Sequence, residues 1–423
     1  MKINLNEIDN DQLKSGLALA KKITELGPYK SEAYLVGGCV RDIVRYQLGQ
    51  TDELDIHDID IATSMPLDNL KTYFKTCDNN GEKHGTVLVW WDGIYFEVTH
   101  FRTDGEYSDG RHPDSITLTE SFEEDTARRD FTINALGLAW DGEIIDYHGG
   151  VEDIKNKIIR AVGDPDKRFE EDALRMIRGA RFAVNFEYSI DNKTSCAMSA
   201  NAERLENVSN ERIRAEFLKL KDYADTPDFI DRLIWNGLLR HIEGFDGLDP
   251  YEVKSQLIEC DELLTKDNLF PAICFTAASE ITLEAFVPTR DERKLWNWLR
   301  SYGNVYAWTP DDGKYWTSLV NFVSGEYELL LALMRYYYCE RAWLEQLPAA
   351  CYLKDNEPDR KAINDTVQSM GIAQGKEFGI KAAELLEAEY AKMAAAFPNH
   401  LEITMGNSRL VYKIESIKTS TKE

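Results

Sequence analysis

Apolar residues in "DQLKSGLALAKKITEL" (11–26) recur at helical spacing, whereas the next apolar run, "EAYLVGG", is short and closed by two glycines. The first pattern predicts an amphipathic helix and the second a strand running into a tight turn. "VRDIVRYQL" returns to helical spacing, and "DIDIATS" alternates as a second strand. "GTVLVWWDGIYFEVTHF" sets two β-rich runs around Trp91-Asp92-Gly93, a hairpin signal that "INALGLAWDGEIIDYHGG" repeats around Asp141-Gly142. From "VEDIKNKIIRAV" onward the apolar spacing is helical and is expected to stay so to the end, with "DPDKRF" as a Pro-containing helix start. Loop-like breaks fall at "EGFDGLDP", "YGNVYAWTPDDG" and "KDNEPDR", and "SRLVYKIESIKTSTKE" reads as a fraying tail. The expected fold class is α+β: a mixed-sheet first domain over residues 1–150, then all-α segments over 151–245 and 246–423.

A chain of 423 residues is long for one core, and 43% hydrophobic content is that of a folded protein. Seven cysteines are an odd count with no CxxC pair and no zinc-like spacing, which suits reduced thiols in a cytoplasm. The polar start "MKINLNEIDNDQLKSG" has no secretory character, and no run of about 18 apolar residues predicts a membrane span. Lys and Arg total 49 against 74 Asp and Glu, a net charge of −25. That balance argues against a uniformly basic nucleic-acid binder and leaves room for a local positive cleft.

Candidate chemistry changes the picture in three places. Asp58 and Asp60 stand two apart in an expected strand, so both carboxylates point to one face, with Ile59 and Ile61 on the other. Such a pair repels itself unless a cation bridges it, and oxygen-only ligation suits Mg²⁺. Glu97, alternating with Phe96 and Val98 in the hairpin's second strand, is a third candidate acid. Gly37 and Gly38 at a strand-to-helix junction allow backbone N–H groups to approach a phosphate, and Arg41 one turn on is placed to fork onto its oxygens. The third place is "RFEEDALRMIRGARF" (168–182), where Arg175, Arg178 and Arg181 are spaced three apart beside Glu171 and Asp172. Taken alone, this stretch reads as an ion-paired helix face.

Together, "YLVGGCVRD", "HDIDIATS", "YFEVTHFR", "EYSDGRHPDSI", "EEDTARRDFTINAL", "GDPDKRFEEDALRMIRGARF" and "ERIRAEF" resemble, in order, the class II nucleotidyltransferases of the polymerase-β-like superfamily. These are the CCA-adding enzymes (tRNA nucleotidyltransferases) and bacterial poly(A) polymerases. The likeness covers residues 34 to about 217, roughly half the chain. It implies a catalytic head (1–150), a helical neck that binds the base and RNA (151–245), and a body and tail that bind tRNA (246–423). It also implies Mg²⁺ on Asp58 and Asp60 beside Glu97, and triphosphate contacts from Gly37, Gly38 and Arg41. Arg129 and Asp130 would contact triphosphate and ribose, with Asn134 nearby. Glu171, Arg212 and Glu216 would support the base-binding helix. One departure is His100 in "VTHFR", where the pattern has threonine; altered packing is the expected consequence.

The resemblance also gives "EEDALRMIR" a chemical reading. Cytosine and adenine present an amine donor beside a ring-nitrogen acceptor, while uracil and guanine present the reverse. A carboxylate beside a guanidinium, here Asp172 and Arg175 at i,i+3 with Arg178 and Arg181 in support, therefore accepts C and A. The implied activity is Mg²⁺-dependent addition of C, C and A to the 3′ acceptor end of tRNA from CTP and ATP, in a cytoplasmic protein for which a monomer is favoured. Alternatives are a poly(A) polymerase, a CC-adding or A-adding specialist, and, from another class, a non-catalytic RNA-binding protein. A fused histidine-based phosphohydrolase is not supported, since only His241 and His400 lie beyond residue 200.

Overall fold

A computed structural model describes residues 1–26, 31–52, 54, 56, 58–77, 85–107, 110, 113–245, 250–258, 261–276, 283–305, 358–372, 376–395, 400–405 and 408–413. The chain divides into two units, Met1–Pro250 and Tyr251–Glu423. The first unit begins with α1 (Asp11–Leu26), β1 (Ala33–Val36), α2 (Gly38–Gln47), β2 (Asp60–Thr63), α3 (Leu67–Tyr73), β3 (Lys75–Cys77), β4 (Thr86–Trp91) and β5 (Ile94–His100). It continues through β6 (Arg102–Asp104), β7 (Ile116–Leu118), α4 (Phe122–Ala127), β8 (Leu136–Leu138), β9 (Ile144–Asp146) and α5 (Gly150–Lys155). Then follow β10 (Ile158–Ile159), α6 (Pro165–Glu171), α7 (Leu174–Phe186), β11 (Ser189–Ile190), α8 (Asn192–Ala200), α9 (Asn210–Phe217) and α10 (Thr226–Trp235).

Seven strands form one mixed sheet in the order β3-β4-β5-β2-β1-β8-β9. Every neighbouring pair is antiparallel except β2 and β5, which run parallel with Asp60 in register with Glu97. The β4–β5 turn has positive φ at both Asp92 (49°) and Gly93 (84°). That conformation suits the Asp-Gly pair and matches the right-handed twist of the flanking strands.

Side-chain alternation gives the sheet two unlike faces. Leu35, Ile61, Val87, Val89, Phe96 and Val98 are almost fully buried and join one core with Leu13, Leu17, Ala20 and Ile23 of α1 and Val40, Ile43 and Val44 of α2. On the other face Val36, Ala62 and Phe101 pack with Phe122 of α4, whose ring lies 4.7 Å from that of Tyr34. Phe122 covers the β1–β2 part of this face; on β4 and β5, Trp90, Tyr95 and Glu97 are exposed and Thr86, Leu88 and Thr99 half-buried.

Two expectations are corrected here. The stretch 168–182 is not one helix: α6 ends at Glu171, Asp172 is extended (φ −153°, ψ 105°), and α7 starts at Leu174. The second unit is not all-α. It contains α11 (Pro250–Ile258, which begins at the junction), α12 (Leu269–Thr276), α13 (Arg290–Val305), α14 (Arg360–Ser369) and α15 (Lys376–Ala395). These are followed by an antiparallel pair, β12 (His400–Met405), where helix was expected, and β13 (Ser408–Lys413), within the expected fraying tail. The alternation of Leu401, Ile403 and Met405 on one strand with Leu410 and Tyr412 on the other is the period-2 signal that a helical reading passes over. The expected break "YGNVYAWTPDDG" begins inside α13, and its remainder lies outside the described residues, as do parts of "EGFDGLDP", "KDNEPDR" and "EYSDGRHPDSI".

Candidate active site

Gly37, between β1 and α2, has φ 81°, a conformation that L side chains rarely adopt. It turns the chain so that α2 begins at Gly38 with no side-chain cap on its first N–H groups. Those groups face a cleft of about 800 Å³ in the first unit, lined among others by Gly37, Gly38, Arg41, Asp58, Asp60, Arg129, Asp130, Asn134, Asp172, Arg175 and Arg178. Uncapped helix-start N–H groups are a ready anion site. Seven lining side chains are cationic (Arg41, Arg128, Arg129, Arg175, Arg178, Arg212, Lys219) and five acidic (Asp42, Asp58, Asp60, Asp130, Asp172). The cleft is therefore locally positive by two charges in a chain of net charge −25.

The carboxylates sit at the β2 edge of this cleft. Asp60 opens β2, while Asp58 lies two residues before it, outside the ladder where the sequence placed it within the strand. The alternation still holds: Asp58 and Asp60 are exposed, and Ile59 and Ile61 are buried. Glu97 does not line the cleft but is exposed beside Asp60 in the parallel register. The Asp60 carboxyl is pushed above its ordinary value, first by desolvation, then by the Glu97 and Asp58 charges, against the pull of Arg129. Among the described residues no three His, Cys, Asp or Glu side chains converge to hold a metal ion by themselves. An exposed pair of hard oxygen donors under mutual repulsion nonetheless fits a divalent cation that completes its shell with substrate phosphates.

Arg129 and Asp130 are positioned by a network that begins in α4. Asp125, 1% exposed, accepts from Arg128 Nη2 (2.9 Å) and Arg129 Nη2 (3.3 Å). Burial would raise its carboxyl, and the two guanidiniums bring it below its ordinary value. Arg129 Nη1 donates to the Asn134 carbonyl at 3.3 Å, and its Nε is buried without an acceptor, a donor suited to a phosphate oxygen. Asp130 accepts from the Phe131 N–H (2.8 Å) and Asn134 Nδ2 (3.0 Å) on one oxygen, and from Arg178 Nε (2.9 Å) and Nη2 (2.8 Å) on the other. Burial opposes ionisation there, yet Arg178 and Asn134 hold the carboxyl down to about 2. Asn134 Oδ1 in turn accepts from Arg41 Nη1 at 2.8 Å. Arg41 forks onto Asp42 at 3.0 and 2.7 Å and lies 4.6 Å over the Phe186 ring.

The wall opposite the carboxylates comes from the α6–α7 junction. Asp172 and Arg175 both line the cleft; the Arg175 N–H donates to the Asp172 carbonyl at 3.1 Å, while their side chains take other partners. Asp172 Oδ1 accepts the Leu174 N–H at 3.0 Å, and Oδ2 accepts from Arg212 Nη2 at 2.8 Å. Arg175 donates to Glu171 Oε2 (2.6 Å) and to the carbonyls of Arg168 and Arg128 (each 3.1 Å). The placing of Arg181 on the nucleotide is corrected: it is 6% exposed, lies outside the cleft lining and donates to Glu216 Oε2 at 2.8 Å. Glu216, 2% exposed, also meets Arg178 (3.6 Å) and Lys219 (3.1 Å). Desolvation raises its carboxyl, but the cations around it bring it below the ordinary range. Gly179 fits α7 tightly against the preceding segment, since a Cβ there would meet Phe131 Cζ at 2.9 Å. His100 is buried with Nδ1 2.8 Å from the Phe101 carbonyl oxygen, a packing role as expected. Sequence reasoning missed Asp125 and Arg128, although Asp125 at i,i+3 and i,i+4 from two arginines is a readable helix pattern.

Residues 33–160 match the family described as the Poly A polymerase head domain, and residues 187–246 match the one described as a probable RNA and SrmB-binding site of polymerase A. Over these stretches the chain is similar to the CCA-adding enzymes and bacterial poly(A) polymerases. A CCA-adding enzyme of Lactobacillus helveticus is 47% identical over 189 residues, 45% of this chain and 46% of the relative. One from Lactobacillus gasseri is 38% identical over 68% of this chain and 65% of the relative. The chain thus spans about half to two thirds of the length of these curated relatives. The structure of a Bacillus stearothermophilus CCA-adding enzyme in complex with CTP superposes with TM-score 0.65 at 28% identity, over 92% of this chain and 94% of that one. Divalent-metal dependence is general among the family's CCA-adding enzymes. Among the described residues no helix is long and apolar enough to cross a membrane.

Proposed function

We propose that the protein adds C, C and A to the 3′ end of tRNA, using CTP and ATP without a nucleic-acid template and releasing pyrophosphate. The observation that carries this reading is that one positive cleft joins the Asp58–Asp60 pair to Asp172 and Arg175. Carboxylates for phosphoryl transfer and a donor–acceptor pair for a base edge thus face the same volume. In this reading residues 1–150 are the catalytic head, 151–245 the neck and 246–423 the body and tail that meet tRNA, in a cytoplasmic, monomeric protein.

The RNA 3′-hydroxyl attacks the α-phosphorus in line, and the bond to the bridging oxygen of pyrophosphate breaks. Asp58 and Asp60 would hold Mg²⁺ with Glu97 beside them, and the ion would lower the hydroxyl pKa and neutralise charge on the phosphoryl oxygens. The N–H groups at Gly37 and Gly38, with Arg41 and the unpaired Nε of Arg129, cradle the triphosphate. Asp130, whose four acceptor sites are taken by Phe131, Asn134 and Arg178, serves the ribose end by fixing those side chains. Asp172 keeps lone pairs for a base amine beyond those used by Leu174 and Arg212. Arg175 uses three of its five donors on protein and keeps the others for a ring nitrogen. Glu171, Arg212 and Glu216 hold this edge in place.

The test is incubation of tRNA lacking its 3′ end with CTP, ATP, both, or UTP with GTP. Extension by two residues with CTP alone and by three with both is expected. A long A-tract, or no product with any nucleotide, would overturn the reading.

A further inference from the structure

The sheet face that carries Asp60 and Glu97 continues outward past the cleft. Glu97 is in register with Leu88 of β4, Tyr95 with Trp90, and Trp90 with Lys75 of β3, so these side chains share that face. The neighbours Val87, Val89, Phe96 and Val98 are buried on the opposite one. The result is an exposed aromatic pair, Trp90 (36%) and Tyr95 (46%), with ring centroids 4.6 Å apart. The Lys75 ammonium stands 5.7 Å over the Trp90 ring.

We infer that Trp90 and Tyr95, with Lys75, form a stacking platform for the single-stranded RNA acceptor just upstream of its 3′-hydroxyl. The inference rests on the nucleotidyltransfer reading above. Three observations carry it. The nucleotide cleft takes no lining residue from β3, β4 or β5, so this face offers an acceptor an approach to Asp60 that leaves the nucleotide in place. Tyr95 lies two residues along β5 from Glu97, about 7 Å, and Trp90 one strand further, the reach of one or two nucleotides from the carboxylates. Finally, aromatic faces stack any base, which suits an acceptor whose terminal base changes with each addition, and the Lys75 ammonium supplies a phosphate contact. Trp90 and Tyr95 are positioning residues, since they meet the acceptor away from the reacting atoms.

The test uses the full chain with Trp90→Ala, Tyr95→Ala, Trp90→Phe, Tyr95→Phe and Lys75→Gln, and a tRNA ending before its C, C and A. Each alanine variant is expected to raise the RNA KM about tenfold. The KM for CTP and kcat at saturating RNA should stay within about twofold of wild type, and both phenylalanine variants should behave as wild type. Lys75→Gln should flatten the salt dependence of RNA affinity by roughly one phosphate contact. An unchanged RNA KM in both alanine variants, a parallel rise in the CTP KM, or phenylalanine variants as defective as alanine would overturn the platform. So would a change in sedimentation on Trp90→Ala, which would assign the face to self-association. A wild-type protein that extends no RNA overturns the nucleotidyltransfer reading itself, and the platform with it.

Discussion

Arg178 places two guanidinium N–H groups on a single oxygen of Asp130, at 2.9 and 2.8 Å, across 48 residues of sequence. This pair ties α7 to the segment after α4, and both side chains line the cleft. The Asp130 side chain is 10% and that of Arg178 31% exposed, so removing one partner leaves the other short of its hydrogen bonds, which costs about 1–3 kcal/mol. Asp130→Ala should therefore lower the unfolding midpoint markedly, read by urea titration, while Arg178→Met combined with Asp130→Leu should recover much of the loss.

The same pair sets an acid limit. The folded Asp130 carboxyl is held at about 2 against an ordinary value of 3.8. A depressed value stabilises the folded state above pH 4, and that contribution, on the order of 2 kcal/mol, is lost as pH falls from about 4 through 2. Wild-type stability measured by chemical denaturation should fall across that window, and Asp130→Asn should show a shallower fall.

Asp60 has the opposite sign. Its carboxyl is raised by desolvation and by the Glu97 and Asp58 charges, so the ionised group works against folding at neutral pH. Asp60→Asn in the presence of EDTA should melt at or slightly above the wild-type temperature while nucleotide incorporation falls by at least about a thousandfold. A large loss of both would assign Asp60 to the fold instead.

Glu216 answers three cations, Arg181, Arg178 and Lys219, from a site that is 2% exposed. Glu216→Ala should destabilise by about 3–5 kcal/mol and weaken nucleotide binding through the disordering of Arg178. Glu216→Gln should be milder, because the amide oxygen still accepts from Arg181. Calorimetry of unfolding and CTP titration separate the two effects.

Arg212→Ala frees one oxygen of Asp172 from its only side-chain donor among the described residues. Incorporation of CTP should drop by about tenfold to a hundredfold, and discrimination against UTP should narrow, since an unanchored carboxylate no longer penalises the wrong edge as strongly. Single-turnover incorporation of each nucleotide reads both quantities.

Much of this was legible in the sequence where local signals suffice. The strand ending in Gly37-Gly38, the helix after it and both Asp-Gly hairpins follow from period-2 runs and from residues that tolerate positive φ. The alternation of Ile59 and Ile61 against Asp58 and Asp60 gave the carboxylates a common face, even though the ladder starts only at Asp60. The interruption at Asp172 was not legible, because "FEEDALRMIR" keeps helical spacing throughout and the residue that holds Asp172, Arg212, is 40 positions away. Arg181 misled for the same reason: a spacing of three puts it near the other arginines, and only Glu216 on α9 shows that it faces inward. The open half of the sheet face depends on where Phe122 of α4 stops, which no single strand encodes.

The interruption at Asp172 has a mechanical consequence. The acceptor and the donor that would meet a base have different outer anchors. Asp172 is moored to α9 through Arg212, and Arg175 rides on α7 while reaching back to Glu171 at the end of α6. Across Ala173, Asp172 is also tied to the first turn of α7, its carboxylate accepting the Leu174 N–H (3.0 Å) and its carbonyl the Arg175 N–H (3.1 Å). Asp172 is thus held from two sides, by α9 through Arg212 and by the start of α7, which makes the edge between carboxylate and guanidinium a rigid one.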